Sequence, residues 1–488
     1  MTNRNWGRVG RLVAPVIMML AAAIASPAQT FTTLVSFDGT NGAGPRYVSL
    51  VQGTDGNLYG TTSGGQYWGT VFKVTPAGDL TTLYNFCVHM PCADGASPEA
   101  GLVLGTDENF YGTAMEGGTS VSCFFGCGTV YKITRTGVLS TLHSFASTDG
   151  ANPTSALIQA TDGNLYGTTT VGGANNSCNN GGPAGCGTIF KITPGGAFTT
   201  IHSFDSADGA NPYGPLIQGI DGNLYGTTTW GGANGYGTVF RLSPGGKLTT
   251  LHSFRSDCSD GAAPVGGLLQ ATGGNFYGTT GSGGAFGGCG GYGTIFKITP
   301  GGTLTTVHSF DFTDGFAPTA ALVQAMDGNL YGTTSGGGSD CGFAGGCGTV
   351  FRITHSGVLT SLHQFGDTQS DGSNLWGGLN QATNGTFYGT AEIGGTGSDG
   401  TIYSETADLG PFIVTLPTAH KVGQRVAILG TNLTGTTSVS FNRTPATFTV
   451  VSSTEIATTV PSGATTGPVQ VTTPSGVLMS NVPFRVMP

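Results

Sequence analysis

Charge is what this sequence has least of. Asp, Glu, Lys and Arg together make up 9% of its 488 residues. The net charge is -9, and no stretch gathers Lys and Arg into a basic stripe, so a nucleic-acid partner is excluded. Helix-forming runs of Ala, Glu and Lys are nearly absent, and Gly or Pro interrupts the chain every few residues, which excludes a helical fold. The motifs G-x-S-x-G, H-E-x-x-H and C-x-x-C are also missing, so no catalytic residue, cofactor or metal site is expected. The one long apolar run, Leu12 to Ile24, is too short to span a bilayer comfortably, and no second one follows.

That run reads instead as the core of a signal peptide over residues 1–28. Arg4, Arg8 and Arg11 precede it, and Ser26-Pro27-Ala28 follows with the small residues a signal peptidase reads. The expected destination is secreted or cell surface, with no stable membrane span after cleavage. Ten cysteines in an exported chain point to disulfides. Local pairs are expected at Cys87–Cys92, Cys123–Cys127, Cys178–Cys186 and Cys341–Cys347, leaving Cys258 and Cys289 to form the only long-range bridge.

Glycine, at 87 positions, punctuates a repeat of roughly fifty residues, a period that suits propeller blades. Its tyrosine recurs at Tyr59, Tyr111, Tyr166, Tyr225, Tyr277, Tyr331 and Tyr388, and the threonine of its G-T-V/I-F/Y element at Thr70, Thr129, Thr188, Thr238, Thr294, Thr349 and Thr401. Each unit offers four strands, a to d; in the third they are Leu157–Ala160, Leu165–Thr169, Thr188–Thr193 and Phe198–Phe204, with a D-G-N hairpin turn between a and b. The first d strand, Phe31–Phe37, precedes every other strand, while the last unit stops after strand c near Ser404. The expected fold is therefore all-β: a seven-bladed propeller over 29–404, closed by an N-terminal strand.

The runs D-G-N-L-Y-G-T-T (Asp162–Thr169), G-T-I-F-K-I-T-P (Gly187–Pro194) and T-T-I-H-S-F (Thr199–Phe204) resemble the GloVer tandem repeat of exported bacterial proteins, with blades similar to NHL propellers. That resemblance implies the fold and an exported protein, but no activity. After a linker at 405–410 the composition shifts toward Thr, Val and Pro. The segments Gly423–Leu433, Ser438–Asn442 and Val460–Gly476 resemble an IPT/TIG domain, which implies an immunoglobulin-like sandwich over 411–488 serving as spacer or interaction surface.

Residues present in every blade are read first as structural. This covers the strand-d histidines His143, His202, His252, His308 and His363, and the aspartates before Gly in the d-to-a connections: Asp38, Asp94, Asp149, Asp208, Asp260, Asp314 and Asp371. Asx turns explain the aspartates without a ligand. Glu99, Glu116 and Glu392 break the repeat. Glu116 and Glu392 are read as the same b-to-c position of blades two and seven, which are not neighbours, so a paired-acid glycosidase site is disfavoured. The binding signal is aromatic: Tyr67, Trp68, Phe124, Phe125, Trp230, Tyr236, Phe286, Tyr292 and Phe343 fall in the b-to-c loops, where exposed rings stack on sugars or anchor a protein. The expected partner is an extracellular glycan or cell-surface protein held by the loop-rich face without catalysis. A polysaccharide lyase or glycosidase, and a structural surface protein without a ligand, are the alternatives.

Overall fold

The computed structural model describes residues 29–175, 178, 185–338, 347–366 and 370–488; the expected signal peptide lies outside them. Among the described residues every regular element is a strand except one 3-10 turn, Gly288–Gly290. Residues 31–405 form seven four-stranded antiparallel sheets, here called blades one to seven in chain order. In blade three, strands Ile158–Gln159, Leu165–Thr169, Thr188–Ile192 and Phe198–Ser203 pair in that order. Strand a is shorter than the sequence suggests. Leu157 and Ala160 fall outside the sheet, and just before them the Ser155 carbonyl accepts a hydrogen bond from Thr113 of blade two.

The repeat's spacing is a hydrogen-bonding device. In the D-G-N turn of blade three, Asp162 accepts the Asn164 backbone N–H at 3.1 Å, the Asn164 amide at 2.7 Å and the Tyr166 hydroxyl at 2.8 Å. One carboxylate thereby closes the hairpin and fixes the tyrosine on strand b. The Asp–Tyr bond recurs in blades one, two, four and six. The first threonine after Tyr-Gly joins neighbours. Thr61, Thr113, Thr168, Thr227, Thr279, Thr333 and Thr390 each donate to a backbone carbonyl of the next blade at 2.8–3.2 Å. The last of these bonds runs from blade seven to Val48 of blade one, so the ring shuts with the contact that joins every other pair.

Phe31–Ser36 completes blade seven by pairing antiparallel with Thr401–Glu405. Phe37 is fully buried, and the Phe31 ring stacks on His363 of blade six with centroids 3.6 Å apart. Directly opposite Phe31 lies Glu405, itself 0% exposed. Burial pushes its carboxyl up to about 7, against the opposing pull of a Gln29 hydrogen bond and of His363. Because the folded value exceeds the ordinary 4.5, the stability linked to this group is full at low pH and lost as pH rises through about 7. We therefore expect Glu405→Gln to raise Tm by several degrees at pH 8 and to change it little at pH 5. Melting curves at both values test this; equal shifts would show that Glu405 is ionised in the fold throughout.

Past blade seven, two further four-stranded sheets stack as a sandwich around Ile428, Phe441, Ile456, Val471 and Phe484. The sandwich lies against the a-to-b turns of the propeller. Thr454 Oγ1 donates to the Thr54 carbonyl of blade one at 2.8 Å, Thr431 meets Thr383 of blade seven at 3.0 Å, and Arg485 bonds to the Ile220 carbonyl of blade four. Leu429 is buried in one apolar cluster with Tyr59 and Leu104 of blades one and two. Blade four stands across the ring from blades one and seven, so this set of contacts passes over the ring axis.

Candidate functional site

The opposite face carries the d-to-a connections and the b-to-c loops. Cys258, in the connection entering blade five, is bonded to Cys289 of that blade's b-to-c loop with Cα atoms 5.0 Å apart, which requires both loops to emerge together. Disulfides Cys87–Cys92, Cys123–Cys127 and Cys178–Cys186 brace other loops of this face. Cys341 and Phe343 lie outside the described residues.

A cavity of about 190 Å³ occupies the loop-side half of the central channel, and every blade lines it. One repeat position governs its mouth: the residue that enters strand a just after the Pro (Leu375 in blade seven). In blades two to seven it is Glu99, Thr154, Tyr213, Val265, Thr319 and Trp376, and blade one, with one residue more between its Pro and strand a, places both Arg46 and Tyr47 there. The preceding residue is almost constant because it packs between blades; the Cδ of Pro98, for example, lies against Gly69 of the previous blade. The mouth position is relieved of that duty and differs from blade to blade. Thr154, Tyr213, Val265, Thr319 and Trp376 line the cavity together with Tyr47. Thr154 and Thr319 are each 6% exposed, and among the described residues neither hydroxyl, itself enclosed, has a partner.

The charged members converge with the other off-repeat glutamates. Arg46 lies between blades two and seven, with Nη1 3.7 Å from Glu99 Oε1 and Nε 3.4 Å from Glu392 Oε1. Its guanidinium also stands 5.2 Å from the Tyr47 ring centroid and 5.7 Å from that of Trp376. Trp376 in turn donates its indole N–H to Glu392 Oε2 at 2.8 Å. Glu116 accepts a long bond from Ser97, at 3.5 Å. Burial pushes Glu99 above the usual carboxylate range, Arg46 opposing and Glu116 and Glu392 adding to it. Glu116 is raised by burial too, and burial lifts the hydroxyls of Tyr47 and Tyr213.

These positions correct two sequence readings. Glu116 does not match Glu392: the bridges Ala96–Glu116 and Ser373–Ile393 align Glu116 with Ile393, one residue further on. Blades two and seven are indeed not adjacent, but both flank blade one, and Arg46 reaches a glutamate on each side. The separation that argued against a joint acidic site is spanned by one arginine.

The aromatic residues singled out from the sequence divide. Trp68, Phe124, Phe125, Trp230 and Phe286 are exposed, Phe124 almost wholly at 94%. Trp68 and Phe125 approach to 6.3 Å, and Phe124 meets Phe125 edge-on at 4.7 Å, while Trp230 and Phe286 stand on other blades. Tyr236 and Tyr292 pack on the cores beneath their loops, and Tyr67 is half-buried. None of those described lines the channel. Tyr47, Tyr213 and Trp376, which do, are missing from the sequence-based set because they precede strand a rather than follow strand b.

Each strand-d histidine bonds the aspartate of the connection that follows it: His143–Asp149, His202–Asp208, His252–Asp260, His308–Asp314 and His363–Asp371, at 2.7–3.4 Å. In Asp149, Asp208, Asp260 and Asp314 the other oxygen accepts a backbone N–H from three to five residues earlier. These are backward-reaching staples rather than Asx turns, which occur at Asp38 and at Asp205, Asp257 and Asp311. Burial opposes ionisation of Asp149, Asp208 and Asp260, yet the His and backbone bonds outweigh it and hold all three below the usual range. Among the described residues no group of three or more His, Cys, Asp or Glu side chains is arranged to hold a metal ion, and no helix is long and apolar enough to cross a membrane.

Fold and mouth together describe a disulfide-braced β-propeller with a polar and aromatic channel entrance, carrying an immunoglobulin-like sandwich. The chain belongs to the Gloeobacter/Verrucomicrobia repeat family, whose model matches residues 23–179, 176–403 and 285–448, and an IPT/TIG domain matches 414–486. No curated protein matches. Similar solved structures include a putative 6-phosphogluconolactonase from Bacteroides uniformis (16% identity, 69% of this chain and 88% of that one, TM-score 0.45). Others are a periplasmic gluconolactonase of Pseudomonas aeruginosa (15%, 72% and 97%, 0.41) and a gluconolactonase of Xanthomonas campestris (15%, 65% and 90%, 0.38). At such identities and TM-scores the neighbours bear on neither ligand nor chemistry.

Proposed function

We propose that this is an exported, non-enzymatic binding protein that takes a glycan or another surface macromolecule on its loop-rich face, with the channel mouth as its centre. The observation that carries this reading is the mouth position itself. Seven blades repeat the same fold residues, yet line one cavity with Tyr47, Thr154, Tyr213, Val265, Thr319 and Trp376, with Arg46 and Glu99 beside them. Packing does not demand that variety, whereas an asymmetric ligand does. Aromatic faces beside carboxylates and hydroxyls are the groups that stack on a sugar ring and bond its hydroxyls. The exposed rings of Trp68, Phe124, Phe125, Trp230 and Phe286 supply outer contacts on the same face, and the oxidised cysteines suit an exported protein.

A lyase or glycosidase is the second reading, and one observation favours it: Glu99 and Glu116 are both held above the usual carboxylate range, as a general acid requires. Incubating the full chain with soluble polysaccharides separates the two. Saturable binding without release of reducing or unsaturated ends supports the binding protein; turnover abolished by Glu99→Gln or Glu116→Gln would replace it with the enzyme.

A further inference from the structure

We infer that the channel is a blind pocket that accepts the free end of a glycan chain, one neutral sugar residue deep. The inference rests on the glycan reading above and adds the mode of entry and the class of sugar.

The mode of entry follows from the sandwich. It bridges the a-to-b turns of blades one and seven to that of blade four across the ring and so covers the far end of the axis. A chain cannot thread through; it enters and leaves at the loop side. The cavity of about 190 Å³ is smaller than the roughly 300–1,000 Å³ of sites that engulf drug-sized ligands, which suits one ring rather than an oligomer.

The class follows from the walls. Among the described residues the lining carries no charged side chain, and Thr154 and Thr319 stand in it on opposite sides of the ring with their hydroxyls enclosed in the wall. Tyr213 and Trp376 offer ring faces. Around the rim one arginine stands among Glu99, Glu116 and Glu392, and among the described residues no cation pairs with Glu116. A uronate entering there would face like charge, which costs affinity.

The test is a glycan array probed with the full-length chain, each oligosaccharide attached through its reducing end. Matched spots have the free terminal residue oxidised to the uronate, or capped by a different sugar. We expect the signal to follow the terminal residue, to be independent of chain length behind it, and to fall at least ten-fold on the uronate spots. Tyr213→Ala should cut it about ten-fold. A signal that grows with internal residues, or survives oxidation or capping, overturns the end-on inference and leaves glycan binding standing. Silence on every spot overturns the glycan reading, and this inference with it.

Discussion

Deleting Phe31–Phe37 is expected to leave a protein that aggregates or melts at least 15 °C below the full chain. The segment supplies the outer strand of blade seven, and without it the backbone of Thr401–Glu405 becomes an open edge. Phe37 is fully buried and Val35 nearly so, and Phe31 packs against His363, Phe365 and Tyr403. Burying side chains of this size contributes about 1.5–3 kcal/mol each, so the three approach the roughly 5–15 kcal/mol that holds a typical fold together. Glu405 would also gain water and ionise. Differential scanning fluorimetry of the truncated and full chains decides it, and a soluble truncation with an unchanged Tm would show that the ring closes by the Thr390–Val48 contact and its neighbours alone.

Arg46→Met should lower ligand affinity at least ten-fold while the propeller still folds. The substitution keeps much of the apolar stem and removes the charge that stands between Glu99 and Glu392. Three carboxylates would then share the rim without a cation. The Trp376 indole would keep its bond to Glu392, but the guanidinium beside it and Tyr47 would be gone. Titration has a sign here as well. Glu99 already ionises at a higher pH than an ordinary carboxyl, and losing Arg46, which lowers it, moves it further up. Binding that needs these carboxylates ionised should weaken as pH falls toward 5, and do so at a higher pH in the variant. Calorimetric titration of both proteins from pH 8 to 5 checks this; unchanged affinity and pH profile would remove the rim from the site.

The blades were legible because their chemistry is local. Asp162, Asn164 and Tyr166 close one hairpin within five residues, and the device or its replacement, such as Asn384 bonding Tyr388, recurs in every repeat but the fifth, where Gly273 stands in place of the Asp. Ring closure was legible as well, since a lone strand d at the start and a missing one at the end leave one economical pairing. Cys258–Cys289 followed from the alternation of strand direction. The mouth was not read, although its members stand in plain alignment. Arg46, Tyr213 and Trp376 each look unremarkable within their own repeat and gain meaning only when the ring gathers that position from every blade. Attention fell on the b-to-c loops because their length and aromatic content vary visibly, while a single variable residue in a constant frame is a quieter signal. The glutamates were noticed, but counting blades along the chain hid the geometry of a circle, in which blades two and seven share the neighbour that carries Arg46.

Hydrogen exchange on the full chain, with and without a glycan selected from the array, tests the channel mouth most directly. The account predicts that protection on binding concentrates in peptides spanning 44–50, 97–102, 211–216 and 374–379, which carry the mouth residues, with smaller changes at Trp68 and Trp230. Protection confined to the outer loops at 119–127 and 229–236, with the mouth peptides unchanged, would contradict it and move the binding surface to the exposed rings.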